Sequence, residues 1–168
     1  MNKRIPRGKI EEILPHDANF RRELASIYWN MGFESTFLES SYRHYELASF
    51  SAENGGINKQ YHLRVGDIIS ISEEDSETFA ILRSIFSHER DNQRFAFVII
   101  NRFEITNQTK LECPVYRLQD IRTIHPINAV NTNDTAHFVH LCNNECSGGN
   151  HELENGLYIR NMYFFKAA

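Results

Sequence analysis

The residues best suited to chemistry lie in one segment near the end of the chain, His137 to His151, which reads HFVHLCNNECSGGNH. Histidine and cysteine recur in it, and imidazole and thiolate are ligands that zinc prefers. On a strand His140 and Cys142 would point to the same face, because successive side chains alternate. The Gly148-Gly149 pair allows the chain to turn back. The pattern predicts a zinc site formed by His140, Cys142, Cys146 and His151.

Other interpretations of this segment stay open. Cys113 or His137 could replace one ligand, whereas His125 is less well placed. The segment could also be a polar loop that contains two incidental cysteines and a core histidine. If zinc binds, four protein ligands leave no position for water, so the metal would be structural and not catalytic.

The sequence contains no motif typical of an enzyme. A zinc deaminase needs a glutamate next to its first ligand and a close pair of cysteines, and the order Glu145-Cys146 does not supply this. Phosphate-binding glycine loops, nucleophile elbows and helix-borne zinc pairs do not occur in it. A nuclease would need basic surroundings, but Arg160 stands near three glutamates in this part of the chain. We therefore predict a protein without catalysis. The alternative is a metal-dependent nuclease or another transposon-associated protein that binds nucleic acid.

Composition limits the remaining classes. The net charge of −4, with scattered Lys and Arg, argues against a protein that binds mainly nucleic-acid phosphates. Three cysteines, an odd number, fit a reducing compartment better than a disulfide framework. The start, MNKRIPRGKIEE, lacks an apolar core of signal-peptide length, and no stretch approaches the ~20 apolar residues of a membrane span. These features predict a soluble, intracellular protein without membrane partners.

The elements that must position these residues are mostly strands. Tyr61 to Glu104 contains three apolar runs, which predict a three-stranded antiparallel meander. Gly66-Asp67 interrupts the first run as a bulge or tight bend would. The polar stretches Ser51 to Gln60, Ser87 to Gln93 and Glu104 to Thr109 are predicted to be connections. Seven or eight short strands at regular spacing favour a β-barrel or sandwich.

The start of the chain differs from this pattern. Residues 1–15 are basic and predict a flexible arm. Residues 16–32 predict an amphipathic helix capped by Asp17 and closed by Gly32. Its apolar stripe should pack on the domain or on a missing neighbour, with Trp29 as a packing residue. Residues 33–168 are predicted to be a single β-rich domain.

Several of these strands resemble the bromo-adjacent homology (BAH) domain, a β-rich module associated with chromatin. The similarity covers Tyr61 to Phe165. The segments that resemble BAH domains are VGDIISI, FAILRSIF, FAFVIINRFE and the later HPINAV. Where such sequences present a Trp-Phe-like pair, this chain has Arg102-Phe103. The CNNECSGGNH insert is not part of the BAH pattern. It is similar to segments of proteins that transposable elements encode in fungi and animals.

The resemblance implies a partly open β-barrel that acts as a nuclear, chromatin-associated binding module for a histone tail, another basic peptide or a partner protein. Nucleic acid would be a secondary ligand. Such domains can hold methylated lysine among aromatic faces. The aromatic and acidic candidates for peptide binding are Tyr42, Tyr45, Tyr61, Phe103, Glu73, Glu74 and Asp75. Alternatively, these aromatic residues fill the barrel, or the chain is a structural fragment of a larger transposon-encoded protein.

Overall fold

A computed structural model describes residues 18–33, 42–54, 56–73, 76–131, 136–141 and 156–163. The fold is mainly β, as the sequence predicts. The predicted basic arm and the predicted cap Asp17 lie outside the described residues. One α-helix, α1 (Ala18–Asn30), and one short 3-10 helix (Ile127–Ala129) accompany the strands. The strands are β1 (Tyr42–Tyr45), β2 (Leu47–Asn54), β3 (Ile57–Arg64), β4 (Ile68–Glu73), β5 (Ser76–Arg90), β6 (Gln93–Lys110), β7 (Cys113–Pro126), β8 (Val130–Asn131), β9 (Phe138–Leu141) and β10 (Leu157–Arg160).

Most strands belong to one sheet. Its neighbours follow the order β8, β4, β5, β6, β7, β10 and β9, and β1 also pairs with β5. The strands β4, β5 and β6 are therefore consecutive neighbours, as the predicted meander requires. Within the described residues the two ends of this order, β8 and β9, do not pair with each other. The sheet is open, and the predicted closure into a β-barrel is not observed.

The described residues divide into two compact units. The first contains those up to Asp67 together with Leu82–Ile100 and Thr123–Ala129. The second contains Ile68–Ile81, Asn101–Arg122 and those from Val130 onward. Each unit has its own cluster of buried apolar side chains.

Helix α1 supplies much of the core of the first unit. Phe20, Leu24 and Tyr28 recur every fourth residue, so they share one face of the helix, and all three are buried. They pack with residues of β5, β6 and β7, namely Phe86, Phe97, Ile99 and Ile124. This confirms that the apolar stripe of the helix packs on the sheet.

The end of α1 follows from its glycine. Gly32 has φ of 91°, a left-handed conformation that glycine adopts without steric cost. The N–H of Phe33 then donates to the carbonyl of Tyr28 at 3.0 Å and closes the last turn. Trp29 points away from the core and is 64 % exposed, so its prediction as a packing residue is wrong.

The core of the second unit comes from five strands. Phe79 and Ile81 of β5 pack with Phe103 of β6, with Tyr116 and Leu118 of β7, and with Tyr158 of β10. Phe138 of β9 stacks on Phe103, with ring centroids 4.6 Å apart and an interplanar angle of 9°. This cluster is strongly aromatic, and it fixes β9 and β10 on β7.

Three predicted connections are wrong, because polar residues continue the strands. SHERDNQ belongs to β5 and β6, except for the turn Asp91-Asn92, whose φ angles are 50° and 59°. The stretch Glu104 to Thr109 is the end of β6, and the turn is Leu111-Glu112. Such two-residue turns with positive φ match the twist of antiparallel strands, and Asp and Asn tolerate this φ well.

The third of these stretches, Ser51 to Gln60, is a hairpin. β2 and β3 pair antiparallel without a break from Leu47↔Arg64 to Asn54↔Ile57, so the hairpin reverses between Asn54 and Ile57. Gly56 has φ of 80°, which explains the glycine. Gly66-Asp67 then separates β3 from β4, in agreement with the predicted bend.

Candidate functional site

The β2–β3 hairpin has one aromatic face and one polar face. Directly paired residues point to the same side, so Phe50 and Tyr61, which are cross-strand partners, lie side by side. Their ring centroids are 5.7 Å apart with an interplanar angle of 31°. Both side chains are partly exposed. Ala48, Ala52 and the buried Leu63 share their face. The hairpin thus carries two adjacent aromatic rings that are partly accessible to solvent.

The opposite face of the hairpin is polar. Ser49, Ser51 and Glu53 of β2 are exposed, as are Gln60 and His62 of β3. The hydroxyl of Ser49 and Nδ1 of His62 form a hydrogen bond of 2.9 Å. No carboxylate is recorded against this pair in the described part of the chain, so it lacks the third group that orients a catalytic histidine.

A second group of polar residues lies beneath helix α1. The hydroxyl of Tyr28 and Nδ1 of His88 form a hydrogen bond of 2.6 Å, and both side chains are buried. Burial raises the pKa of Tyr28 to about 12, although the nearby Arg90 cation acts in the opposite direction. A substrate has no access to this pair, because the helix and the sheet enclose it. The pair is therefore a structural contact.

The Arg90 guanidinium is enclosed by aromatic rings. It lies 5.0 Å from the ring centroid of Tyr28 and 4.8 Å from that of Phe33. Its Nε is 3.4 Å from a carboxylate oxygen of Asp91, and the Arg90 side chain is only 8 % exposed. A buried cation is costly unless paired, so these contacts offset its desolvation. The aromatic box is occupied by the chain's own arginine.

The aromatic candidates for peptide binding do not form one cage. Tyr42 is partly buried in the first unit, where its ring lies 4.9 Å from that of His88. Tyr45 points elsewhere, and its hydroxyl is 3.3 Å from that of Ser87. Phe103 is only 6 % exposed and packs in the core of the second unit, as the alternative of an aromatic residue inside the fold predicts. Tyr61 lies in the partly exposed pair with Phe50.

The side chains of the acidic candidates for peptide binding lie outside the described residues. Glu73 ends strand β4, but its side chain is outside the described residues. Glu74 and Asp75 also lie outside them. Their predicted contact with a basic peptide stays a prediction.

The predicted zinc ligands are described only in part. His140 lies in β9, and its ring is 5.0 Å from that of Tyr158. Cys142, Cys146 and His151 lie outside the described residues. Within the described residues no three His, Cys, Asp or Glu side chains are grouped to hold a metal ion.

The residues considered as replacement ligands have other surroundings. Cys113 is buried at the start of β7. His125 hydrogen-bonds through Nε2 to the hydroxyl of Thr123 at 3.1 Å. His137 precedes β9, and its carbonyl accepts a hydrogen bond of 2.7 Å from the N–H of Asn161.

The sequence prediction missed Phe50 as a candidate. The available signal was the Gly55-Gly56 turn between two segments that can each alternate, which is typical of a hairpin. The turn would have given the register, and the register pairs Phe50 with Tyr61.

The single α-helix of the described residues is too short and too polar to cross a membrane. No protein-family model, no curated protein and no solved structure matches this chain. The functional proposal therefore depends on the residues and their geometry.

Proposed function

We propose that this chain is a non-catalytic, chromatin-associated binding module that recognises a basic peptide such as a histone tail. The adjacent, partly exposed aromatic pair Phe50 and Tyr61 is the observation that carries the proposal. Aromatic faces attract ammonium and guanidinium groups, by about 0.5–1 kcal/mol at exposed sites and about 2 kcal/mol when water is excluded. The negative net charge of −4 attracts the same ligands from a distance.

The places of the perturbed side chains support a role without catalysis. Tyr28, whose pKa is raised to about 12, is buried beneath helix α1. Burial also lowers the pKa of His44 to about 4, so this histidine is neutral at physiological pH. The hydroxyl of Tyr28 is hydrogen-bonded to His88 inside the core, and Nδ1 of His44 is 3.3 Å from the hydroxyl of Ser84. Burial is the largest cause of both shifts, and structural residues show such shifts as well.

The similarity to BAH domains belongs to the same proposal. The β4–β5–β6 meander contains FAILRSIF, FAFVIINRFE and the IISI part of VGDIISI, the runs that resemble this family. On this proposal the module works in the nucleus and binds a histone or another basic protein, with nucleic acid as a weaker ligand. A protein encoded by a transposable element would use this module to bind chromatin.

A peptide titration tests this function. Histone-tail peptides, unmodified and with trimethylated lysine, are titrated into the full chain by calorimetry. We expect Y61A and F50A to weaken binding about fivefold to thirtyfold, because each removes one aromatic face. Y61F keeps the ring and W29A removes an exposed aromatic residue elsewhere, so both controls should bind like the wild type. Equal loss in Y61A and W29A, or no binding of any basic peptide, would contradict the proposal.

We also propose that the chain holds a structural zinc ion at the β9–β10 connection. Pairing of Leu141 with Leu157 fixes the two ends of the segment that contains Cys142, Cys146 and His151 next to each other. His140 lies at this base, with its ring over Gly156. A closed connection of this kind limits the space in which the four side chains must converge.

Metal analysis of the purified full chain tests the zinc proposal. We expect about one zinc per chain, lost in C142S and in C146S together with a lower melting temperature. C113S is the control, because Cys113 lies buried at the start of β7. A metal-free chain whose melting temperature is unchanged in C142S would refute this part and leave peptide binding unaffected.

A further inference from the structure

Strand β2 directs a row of backbone groups away from the hairpin. The N–H of Val65 donates to the carbonyl of Glu46 at 2.9 Å, which marks Glu46 and Val65 as a hydrogen-bonded pair. Such pairs recur at every second residue of an antiparallel ladder. The backbone N–H and C=O groups of the even-numbered residues of β2 therefore point toward β3. The N–H and C=O groups of the odd-numbered residues point outward, namely those of Leu47, Ser49, Ser51 and Glu53.

This outward edge has no strand beside it in the described part of the chain. β2 pairs with β3 in a two-stranded sheet of its own. The other edge of the hairpin is partly closed, because the N–H of Arg64 donates to a carboxylate oxygen of Asp67 at 2.7 Å. Of the two edges, β2 offers the longer row of backbone donors and acceptors.

The sequence of β2, LASFSAEN, lacks the features that usually protect an edge strand. It contains no proline, lysine or arginine, and it pairs with β3 over eight consecutive residues without a bulge. Edges of this kind accept another strand readily. The side chains beside the outward groups are small at Ser49 and Ser51, so a neighbouring backbone can approach.

We propose that β2 is an interface for a second copy of this chain, paired antiparallel about a two-fold axis at Phe50. In this register Ser49 faces Ser51 of the second copy, and Leu47 faces Glu53 of the second copy. Each residue whose backbone groups point outward thus lies opposite another such residue. The outward N–H and C=O groups of both copies can therefore all form hydrogen bonds across the interface. No like charges face each other, because the only charged residue, Glu53, lies opposite a leucine.

The same register extends the aromatic face. Phe50 lies directly opposite Phe50 of the second copy, and each is already paired with a Tyr61. The four strands would carry an unbroken row of four aromatic rings, which adds cross-strand aromatic contacts to the backbone hydrogen bonds. Two-stranded hairpins are only marginally stable, and a four-stranded sheet removes this weakness. The inference does not depend on the proposed peptide ligand.

Charge substitutions on the exposed face test the interface and its register. S49K/S51K places lysines opposite each other twice across the two-fold axis, whereas S49K/S51E places lysine opposite glutamate twice. Both double variants lose the Ser49–His62 hydrogen bond, so they are matched in their effect on the hairpin. Sedimentation of the full chain over a concentration series should show a dimer for the wild type and for S49K/S51E. The S49K/S51K dimer should be at least about tenfold weaker.

A monomeric wild type at every concentration would overturn the proposal. A dimer that S49K/S51K does not weaken more than S49K/S51E would overturn it as well. In that case the copies would meet through another surface.

Disulfide trapping gives a second measurement. In the proposed register the two copies of residue 50 have Cα atoms about 4.5 Å apart, within the range for a disulfide. The two copies of residue 52 are separated by more than about 13 Å, since four residues of strand lie between them. Under mild oxidation F50C should form a covalent dimer, whereas A52C and the wild type should not. Equal cross-linking of F50C and A52C would contradict the register.

Discussion

Tyr28 joins helix α1 to the sheet through its hydroxyl as well as its ring. The ring packs edge-on against those of Phe33, Phe95 and Phe97, with centroid distances of 5.5, 5.4 and 5.5 Å. The hydroxyl reaches His88, which is buried near the end of β5, a strand that the sequence alone predicts to end earlier. A polar residue can stay in this core because the helix supplies its partner.

Replacement of Tyr28 by phenylalanine should destabilise the chain by about 1–3 kcal/mol. The ring contacts remain, but Nδ1 of His88 loses its hydrogen bond in a buried site. Urea unfolding of Y28F measures the difference. The matched control is Y163F, which removes an exposed hydroxyl that donates to Glu112 at 3.1 Å and should change the free energy of unfolding little. Equal effects of the two variants would contradict this role of Tyr28.

Gly156 is constrained by a side chain. A Cβ at this position would overlap the ring of His140, with Cδ2 2.7 Å away, and would lie 3.2 Å from Cε2 of Tyr158. We expect G156A to lower the free energy of unfolding by about 1–3 kcal/mol through this overlap. In the H140A background the same substitution should cost much less, because the ring is gone. A double-mutant cycle by thermal unfolding measures the coupling, and an additive result would refute it.

At the scale of the elements, the two long hairpins differ in how well their turns suit the backbone. The turn Asp91-Asn92 uses residues that tolerate positive φ. The turn Leu111-Glu112 uses residues that do not, with φ of 52° and 61°. Leu111 is 81 % exposed, so no core contact compensates for its conformation. The register of β6 and β7 is set by the strands and not by this turn.

Asparagine at position 111 should therefore stabilise the chain. An ordinary side chain in the left-handed region costs about 1–2 kcal/mol, and asparagine visits that region routinely. We expect L111N to raise the melting temperature by about 3 °C, the shift that about 1 kcal/mol produces in a chain of this size. L111V is the control and should lower it, because a β-branched residue suits positive φ least. A lower melting temperature for L111N than for the wild type would show that the turn is not strained.

Helix α1 also protects an edge of the sheet. The Glu23 carboxylate accepts a hydrogen bond of 2.7 Å from the backbone N–H of Ile124 in β7. β10 pairs with β7 near Tyr116, so it does not reach this part of the strand. The Glu23 side chain thus accepts the hydrogen bond that a neighbouring strand would otherwise accept from Ile124. The contrast with β2, whose edge has no such partner in the described residues, is the reason to expect association at β2.

At the scale of the whole molecule, His44 makes stability depend on pH. Burial next to Phe86 lowers its pKa from 6.5 to about 4 in the folded chain. Between these values the unfolded chain binds more protons than the folded chain, so acid favours unfolding. The contribution of His44 to stability is complete above pH 6.5 and is lost as the pH falls toward 4.

Denaturant unfolding from pH 7 to pH 4.5 measures this effect. The free energy of unfolding of the wild type should fall by up to about 1.4 kcal/mol per pH unit more than that of H44Q, which cannot take up the proton. Parallel curves for the wild type and H44Q would show that protonation of His44 does not cause the loss of stability at acid pH.

Much of the fold could be predicted, since it depends on local patterns. The apolar face of α1, its end at Gly32 and the β4–β5–β6 meander all follow from spacing and turn residues. The predicted connections failed for one reason. Polar residues such as His88 lie inside strands because residues distant in sequence satisfy or shield them.

The candidate site was predictable only in part. Tyr61 is found in the partly exposed aromatic pair, but Phe103 has the same aromatic character and lies in a core. The sequence does not distinguish the two, because exposure depends on which strands pack against each residue. The zinc prediction concerns residues that are close in sequence, and the structure adds that the ends of their segment are held together.

The sequence by itself determined the β-rich class, the amphipathic helix and the charge, since these depend on side-chain periodicity and composition within short windows. Only the tertiary structure decided that Phe50 and Tyr61 lie side by side. It also decided that, among the residues that the structure describes, the sheet stays open and no strand lies along the outer edge of β2. A given strand could pair with several others, and packing between residues distant in sequence determines which strands become neighbours. The physical reason is that a strand specifies what its faces contact far better than which strand lies along its edge.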